Sequence, residues 1–523
     1  MVTVTPDDFF TDWLNPPDFC SLLGLNRLLL SICPLVLFAE LDLGASPALS
    51  KTELDFFESN NPVRSELPMN FCFRIFALLF LASFAEAEGF RIATFRADVT
   101  PPVGHMLLTG HFVTAEAIET PLEARGFILS GSESQPIVVC AVDWSEIRSD
   151  TYDLWRDRLA TAADTTRERV LLSAIHQHDT PMGDLTADRI LRELGSPHRV
   201  ITEEFHEKAL ARVVDAAKTG LEKATPVTHI ETGKGKVAKL ASNRRWVDED
   251  GKIRFDRGSA CKILAAQRAG EGAIDPFVLS LSFWNGEELL ATYSVYATHP
   301  MSYYGTRKVN ADFPGLARAM QDGETPGALQ IYASGCSGNV TAGKYNSGNP
   351  ENRSVLAARL HEGMKLASEG ERKPLRSITF QNEILKLDPR PTREFSREHL
   401  ESVIREKEDA RSHLMASLGL SWLERVERKG REFDVPAVSF NGGDALILLL
   451  PGEIYVDYQL YAQEVAPNRL VMTPGYGDSA AGYLPTEKHW EEGDTNLKGW
   501  CWIDKGMEPR VKTVIRSLVE GAE

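Results

Sequence analysis

The chain has 523 residues, 43% of them hydrophobic and 25% charged, a globular balance that excludes intrinsic disorder as its theme and leaves room for two or three domain equivalents or one large α/β domain with insertions. A formal net charge of -17 excludes nucleic acid as a partner and excludes adhesion to an anionic membrane by electrostatics alone.

Taken in chain order, the first apolar run, 28–39, is too short to span a bilayer and is broken by Pro34. Met69 then opens MNFCFRIFALLFLASFAEAEGF, in which Arg74 precedes an apolar run over 75–84 and Ala85-Glu86-Ala87 fits an A-x-A cleavage pattern. Residues 69–87 therefore read as a secretory signal peptide, and 1–68 as an upstream leader of little order or the product of a misplaced start codon. The mature chain is expected to begin at Glu88, to carry no transmembrane helix and to be exported to the periplasm, the cell envelope or the medium. Downstream of that site, Cys140, Cys261, Cys336 and Cys501 are widely spaced without a C-x-x-C pair, which excludes a zinc ribbon and leaves room for one or two disulfides.

From residue 90 onward, short apolar runs at 127–129, 137–142, 170–175, 277–283, 289–297, 329–333 and 445–450 predict strands. Stretches 150–163, 203–224 and 354–367 predict helices between them, so residues 88–523 form a mixed α/β (α+β) domain with a central mixed β-sheet flanked by helices. Asn285-Gly286 between two alternating runs predicts a hairpin. The charged stretch 393–429 reads as a solvated helical insertion.

Polar residues collect where these strands end. In SAIHQHDTPMG, His176 and His178 follow the 170–175 strand, whose period of two would set both rings side by side on one face. Such a pair can hold a metal or divide labour between ligand and proton carrier. His299 ends the 289–297 strand, the small-residue loop SGCSGNVTAG follows 329–333, Glu453 follows 445–450, and PGYGDSAAGYLPT brings Tyr476, Asp478 and Tyr483. Two histidines, a carboxylate and a further oxygen at adjacent strand ends make a zinc-type set, so the metal site is expected there.

These motifs, together with ADVTPPVG at 97–104, ATHPMSYYG and NADFPG within 297–315, GCSGNVTAG, PGEIY and GYLPT, resemble the catalytic N-terminal domain of the neutral/alkaline ceramidase family. The resemblance runs from about residue 90 to the C-terminus and implies a zinc (Zn2+) amidase that cleaves an N-acyl bond. It implies His176, His299, Glu453 and Tyr483 as metal ligands, His178 as catalytic acid/base and Thr341 at the position of an active-site serine. It also implies substrate contact by Arg244, with Arg245 as the adjacent alternative. The family's tyrosine beside an E-G pair has no counterpart in Trp490-Glu491-Glu492-Gly493, and the chain ends at Glu523 without the family's immunoglobulin-like domain. A small-molecule or lipid N-acyl substrate is the expectation, in a shallow acidic-rimmed cleft. A metallohydrolase of an ester or cell-wall amide, and a non-catalytic binding protein that keeps the fold, are the alternatives.

Overall fold

The structure, a computed structural model, describes residues 89–107, 113–131 and 134–522, all within one compact unit. The expected leader (1–68) and the expected signal peptide (69–87) both fall outside the described residues. Mixed α/β architecture is observed, with the main strands divided among three sheets.

The first sheet contains β1 (Arg91–Asp98), β2 (Glu123–Gly131), β3 (Ser134–Val142), β4 (Val170–Ala174) and the short β5 (Thr225–Pro226), in the order β5-β1-β2-β3-β4. The second contains β6 (His229–Lys236), β7 (Phe277–Asn285), β8 (Glu288–Tyr296), β9 (Leu329–Ser334) and β10 (Glu371–Pro374), in the order β9-β8-β7-β6-β10. The third runs β11 (Ile378–Lys386), β12 (Glu432–Phe440), β13 (Ala445–Leu448) and β14 (Leu470–Met472) in sequence order. As the Asn285-Gly286 signal predicts, β7 and β8 are an antiparallel hairpin, with Gly286 at φ 57° in the turn.

Alternation of side chains builds the layers. Ile128, Val138, Cys140 and Leu172 face a core shared with helices α1 (Ser149–Ala163) and α2 (Glu203–Leu221). Phe127, Leu129, Val139 and Leu171 face the second sheet, where Phe127 meets Phe283 and Tyr293 at ring-centroid distances of 5.0 and 6.1 Å. On its far side the second sheet carries α3 (Asp312–Glu324) and α4 (Glu351–Ala367). The third sheet joins this core through Phe440, 5.9 Å from Phe283. Its other face is covered by α5 (Arg397–Glu406), α6 (Ala410–Lys429) and the C-terminal α7 (Glu508–Glu520), so that the charged 393–429 stretch lays Trp422 on Phe433 at 5.5 Å.

Each sheet is mostly antiparallel and ends in one parallel edge pair: β3 with β4, β8 with β9, and β13 with β14. The C-terminal ends of these pairs converge. The Ala174 N–H donates to the Tyr476 carbonyl (2.9 Å), the Ser334 hydroxyl to the Ile175 carbonyl (2.7 Å), and the Gly475 N–H to the Ser334 carbonyl (3.0 Å). Loops leaving the carboxyl ends of parallel strands are where α/β sheets place ligands, and here three such ends meet at one point.

Candidate active site

Each sheet sends one side chain to that point. Strand β4 stops at Ala174, and His176 takes φ 75°, a left-handed conformation uncommon for a side chain with a Cβ and costing on the order of 1 kcal/mol. This overturns the side-by-side picture of the two histidines: the backbone has left the strand, and the His176 and His178 rings meet at 85° with centroids 5.0 Å apart. The left-handed step aims His176 at Glu453 instead.

His176 Nε2 lies 3.1 Å from Glu453 Oε2, and His299 Nε2 lies 3.1 Å from the same oxygen. His176 Nδ1 meets the Ser145 carbonyl at 2.7 Å and His299 Nδ1 meets the Ser337 carbonyl at 2.6 Å. A carbonyl only accepts, so both Nδ1 atoms carry the proton of the neutral ring and both Nε2 atoms keep a lone pair. Two lone pairs and a carboxylate oxygen then face one another, all within 4.8 Å, in a fully buried cluster. Such a donor set repels itself unless a positive charge stands among it, and the residues fit a metal ion. Orienting carbonyls on the remote nitrogens are what ligating histidines ordinarily carry.

Burial opposes charge on His176, but Glu453 and Glu146 outweigh it and raise its pKa above 6.5. Burial, then Arg244, push His299 down to about 4. Burial works against the Glu453 carboxylate, yet His176 and His299 hold it well below the usual range. His178 is buried, and burial together with the charges of His176 and His299 keeps it well below 6.5, so it is neutral at neutral pH. Its Nδ1 donates to the His176 carbonyl at 3.0 Å, which leaves Nε2 as the basic atom.

Glu453 and Tyr483 are register partners in a short parallel ladder, Glu453–Ile454 with Tyr483–Leu484, which holds both beside the cluster. The Tyr483 hydroxyl accepts from Arg244 Nη1 at 2.6 Å, and its ring centroid is 6.4 Å from that of His299. Arg244 is fixed by its own N–H donating to the Asn339 carbonyl at 2.7 Å. Arg245 turns elsewhere, into a bidentate pair with Glu492 at 2.5 and 2.7 Å. Thr341 is fully buried; its hydroxyl donates to the Gly258 carbonyl (3.0 Å) and accepts from the Gly343 N–H (3.1 Å). His176, His178, His299, Glu453, Tyr483 and Arg244 thus gather in one place, while the hydroxyl of Thr341 and the guanidinium of Arg245 are engaged by other partners.

Two residues without a role in the sequence reading belong to this place. Tyr476, at φ 57°, stacks on His176 (centroids 4.4 Å, 20° apart) and its hydroxyl meets Ser337 Oγ at 2.7 Å. Glu146 is fully buried, paired with Arg148 at 2.6 Å and hydrogen-bonded by Trp500 Nε1 at 3.2 Å. Burial, aided by the Glu453 charge and opposed by Arg148, takes it up to about 7. A strand-end rule applied to β3, which runs out into Asp143-Trp144-Ser145-Glu146, could have found it. The described cysteines are four buried free thiols, with no disulfide among the described residues. No helix among the described residues is long and apolar enough to cross a membrane.

No protein-family model and no curated protein matches the sequence. Solved structures do. A ceramidase complexed with C2 superposes with a TM-score of 0.59 at 16% identity, covering 83% of this chain and 75% of the other. Neutral ceramidase from Pseudomonas aeruginosa superposes with a TM-score of 0.58 at 18% identity and the same coverage. At these identities the likeness is one of fold, and the described chain has the fold of the neutral ceramidases.

Proposed function

We propose that the protein is an exported zinc-dependent hydrolase of an N-acyl amide bond. The observation that carries this reading is the convergence of His176 Nε2, His299 Nε2 and Glu453 Oε2, each from a different sheet, with both Nδ1 protons directed to carbonyls. A borderline-soft nitrogen and oxygen donor set suits zinc, with Tyr483 as the fourth residue. Zinc held there would polarise an acyl oxygen and acidify water toward neutral pH.

The remaining chemistry belongs to the chain. His178, neutral and with Nε2 as its basic atom, takes a proton from the attacking water and returns it to the leaving nitrogen. Arg244, buried against Tyr483, orients a polar group of the substrate and keeps the phenol oxygen in an electropositive setting. Thr341 acts through its loop, which its hydroxyl ties to Gly258 and Gly343, so that its part is to shape the wall on which the acyl oxygen is held. Arg245 acts by holding Glu492, which ties the Arg244 segment to the segment after Tyr483.

Metal analysis of the purified protein, joined to hydrolysis assays on N-acyl compounds from short amides to ceramide, tests the reading. We expect about one zinc per chain and amide cleavage that a chelator abolishes. A metal-free protein, or one that cleaves esters and no amide, would sink it. Export rests on the 69–87 segment: exported protein should begin at Glu88, an exported chain that still carries residues before 69 would sink the cleavage, and protein retained inside the cell would sink export.

A further inference from the structure

Tyr304 lies on the loop that follows His299, half-buried, with its ring centroid 5.0 Å from that of His178. Both sides of that position are pinned. Before it, Arg353 lies 3.8 Å from the Tyr303 ring and donates from Nη2 to the Tyr303 carbonyl (2.8 Å) and from Nε to the Ser302 hydroxyl (2.9 Å). After it, the buried carboxylate of Asp179 accepts from the Gly305 N–H (2.8 Å), the Thr306 N–H (3.3 Å) and the Thr306 hydroxyl (2.7 Å). Gly305 and Arg307 both take left-handed φ values, 73° and 62°, so the loop is bent sharply around Tyr304. Since Asp179 is the chain neighbour of His178, the same short segment supplies both the basic imidazole and the anchor that brings Tyr304 to it. Fixed backbone on both sides leaves a rigid, partly exposed aromatic ring against His178.

A group protonated by His178 must come within hydrogen-bond reach of Nε2, and whatever its nitrogen carries then lies beside the Tyr304 ring. We infer that Tyr304 selects the amine half of the substrate, favouring an amine with an apolar or aromatic face over a small charged one. This rests on the amidase reading given above, and it makes Tyr304 a specificity-determining residue that does not hold the metal. In a hydrophobic pocket a single methylene is worth about 10- to 200-fold in kcat/KM, and the contact with Tyr304 is expected on that scale.

The test uses two substrate series on the metal-loaded protein, with metal content measured in every variant. One series keeps a butanoyl group and varies the amine through glycine, butylamine and phenethylamine; the other keeps phenethylamine and varies the acyl group from acetyl to octanoyl. In Tyr304→Ala the preference for phenethylamide over glycine amide should fall about 10-fold or more, with the acyl ranking and the metal content unchanged. Tyr304→Phe should keep the preference. An equal fall across both series, or no change in either, overturns the inference while leaving the amidase reading intact. Wild-type protein that cleaves none of these amides overturns the amidase reading, and the inference with it.

Discussion

At the scale of single residues, His176 and His178 stand two positions apart and do different things. His176 turns its lone pair to Glu453, whereas His178 is neutral and touches Tyr304. His176→Ala should therefore weaken zinc binding about 10-fold or more with activity falling in step, while His178→Ala should retain zinc and lose on the order of 10²–10⁴ in kcat. Equal metal loss in both variants, read by metal analysis after dialysis, would contradict this division. The proton on His176 sets a pH dependence with a definite sign. Its pKa is raised by Glu453 and Glu146 in spite of burial, so the ion must displace a proton at every pH below that raised value. Metal affinity should be level at alkaline pH and fall about 10-fold per unit as pH drops through a value above 6.5, as measured by chelator competition. Flat affinity across that interval would exclude His176 as the proton competitor. The residue types at strand ends were legible in the sequence because they are polar where apolar runs stop. Their aim was not: the left-handed φ of His176 and the partner of Arg245, a glutamate far along the chain, depend on contacts no local pattern encodes.

At the scale of elements, the strands that sequence pattern reveals are the ones buried on both faces. Residues 137–142, 170–175 and 277–283 read as apolar runs and are the hearts of β3, β4 and β7. Helices α1, α2 and α4 likewise begin and end within a few residues of their expected bounds. Strand β6, HIETGKGK, was invisible because its packing demands glycine rather than apolar bulk. A Cβ on Gly233 would stand 1.6 Å from the Ala367 carbonyl oxygen, and one on Gly235 would stand 1.9 Å from that of Gly363. These glycines let α4 lie directly on the second sheet. The division into three sheets was equally hidden, since it is decided by which edges pair across long separations. Gly233→Ala must push α4 off the sheet or bend β6, an overpacking that costs roughly 1–3 kcal/mol or more. We expect a lower midpoint in denaturant unfolding with zinc affinity unchanged, because the substitution lies away from the strand ends that carry the site. A variant as stable as the parent would show that α4 seats differently.

At the scale of the whole molecule, the site is also a joint. His176 follows β4 of the first sheet, His299 follows β8 of the second, and Glu453 follows β13 of the third. Single backbone and hydroxyl hydrogen bonds, such as Ala174 to Tyr476 and Ser334 to Ile175, link those strand ends directly. An ion shared by the three side chains would bind only the arrangement in which all three sheets are docked, so its binding free energy becomes folding free energy. At a free zinc concentration about 1,000 times the dissociation constant this amounts to roughly 4 kcal/mol, which for a unit of this size shifts Tm by about 4 °C. Chelation should lower Tm by that order, and restoring zinc should reverse it. The dependence identifies its own source, because His178→Ala, which leaves the three donors in place, should keep the full zinc-dependent shift. His176→Ala, binding zinc about 10-fold or more weakly, should show a smaller shift at the same free zinc, no more than about two-thirds of the parent's. If chelation left Tm unchanged in the parent while activity disappeared, the sheets would be docked by their apolar cores alone, and the ion would serve chemistry without serving the fold.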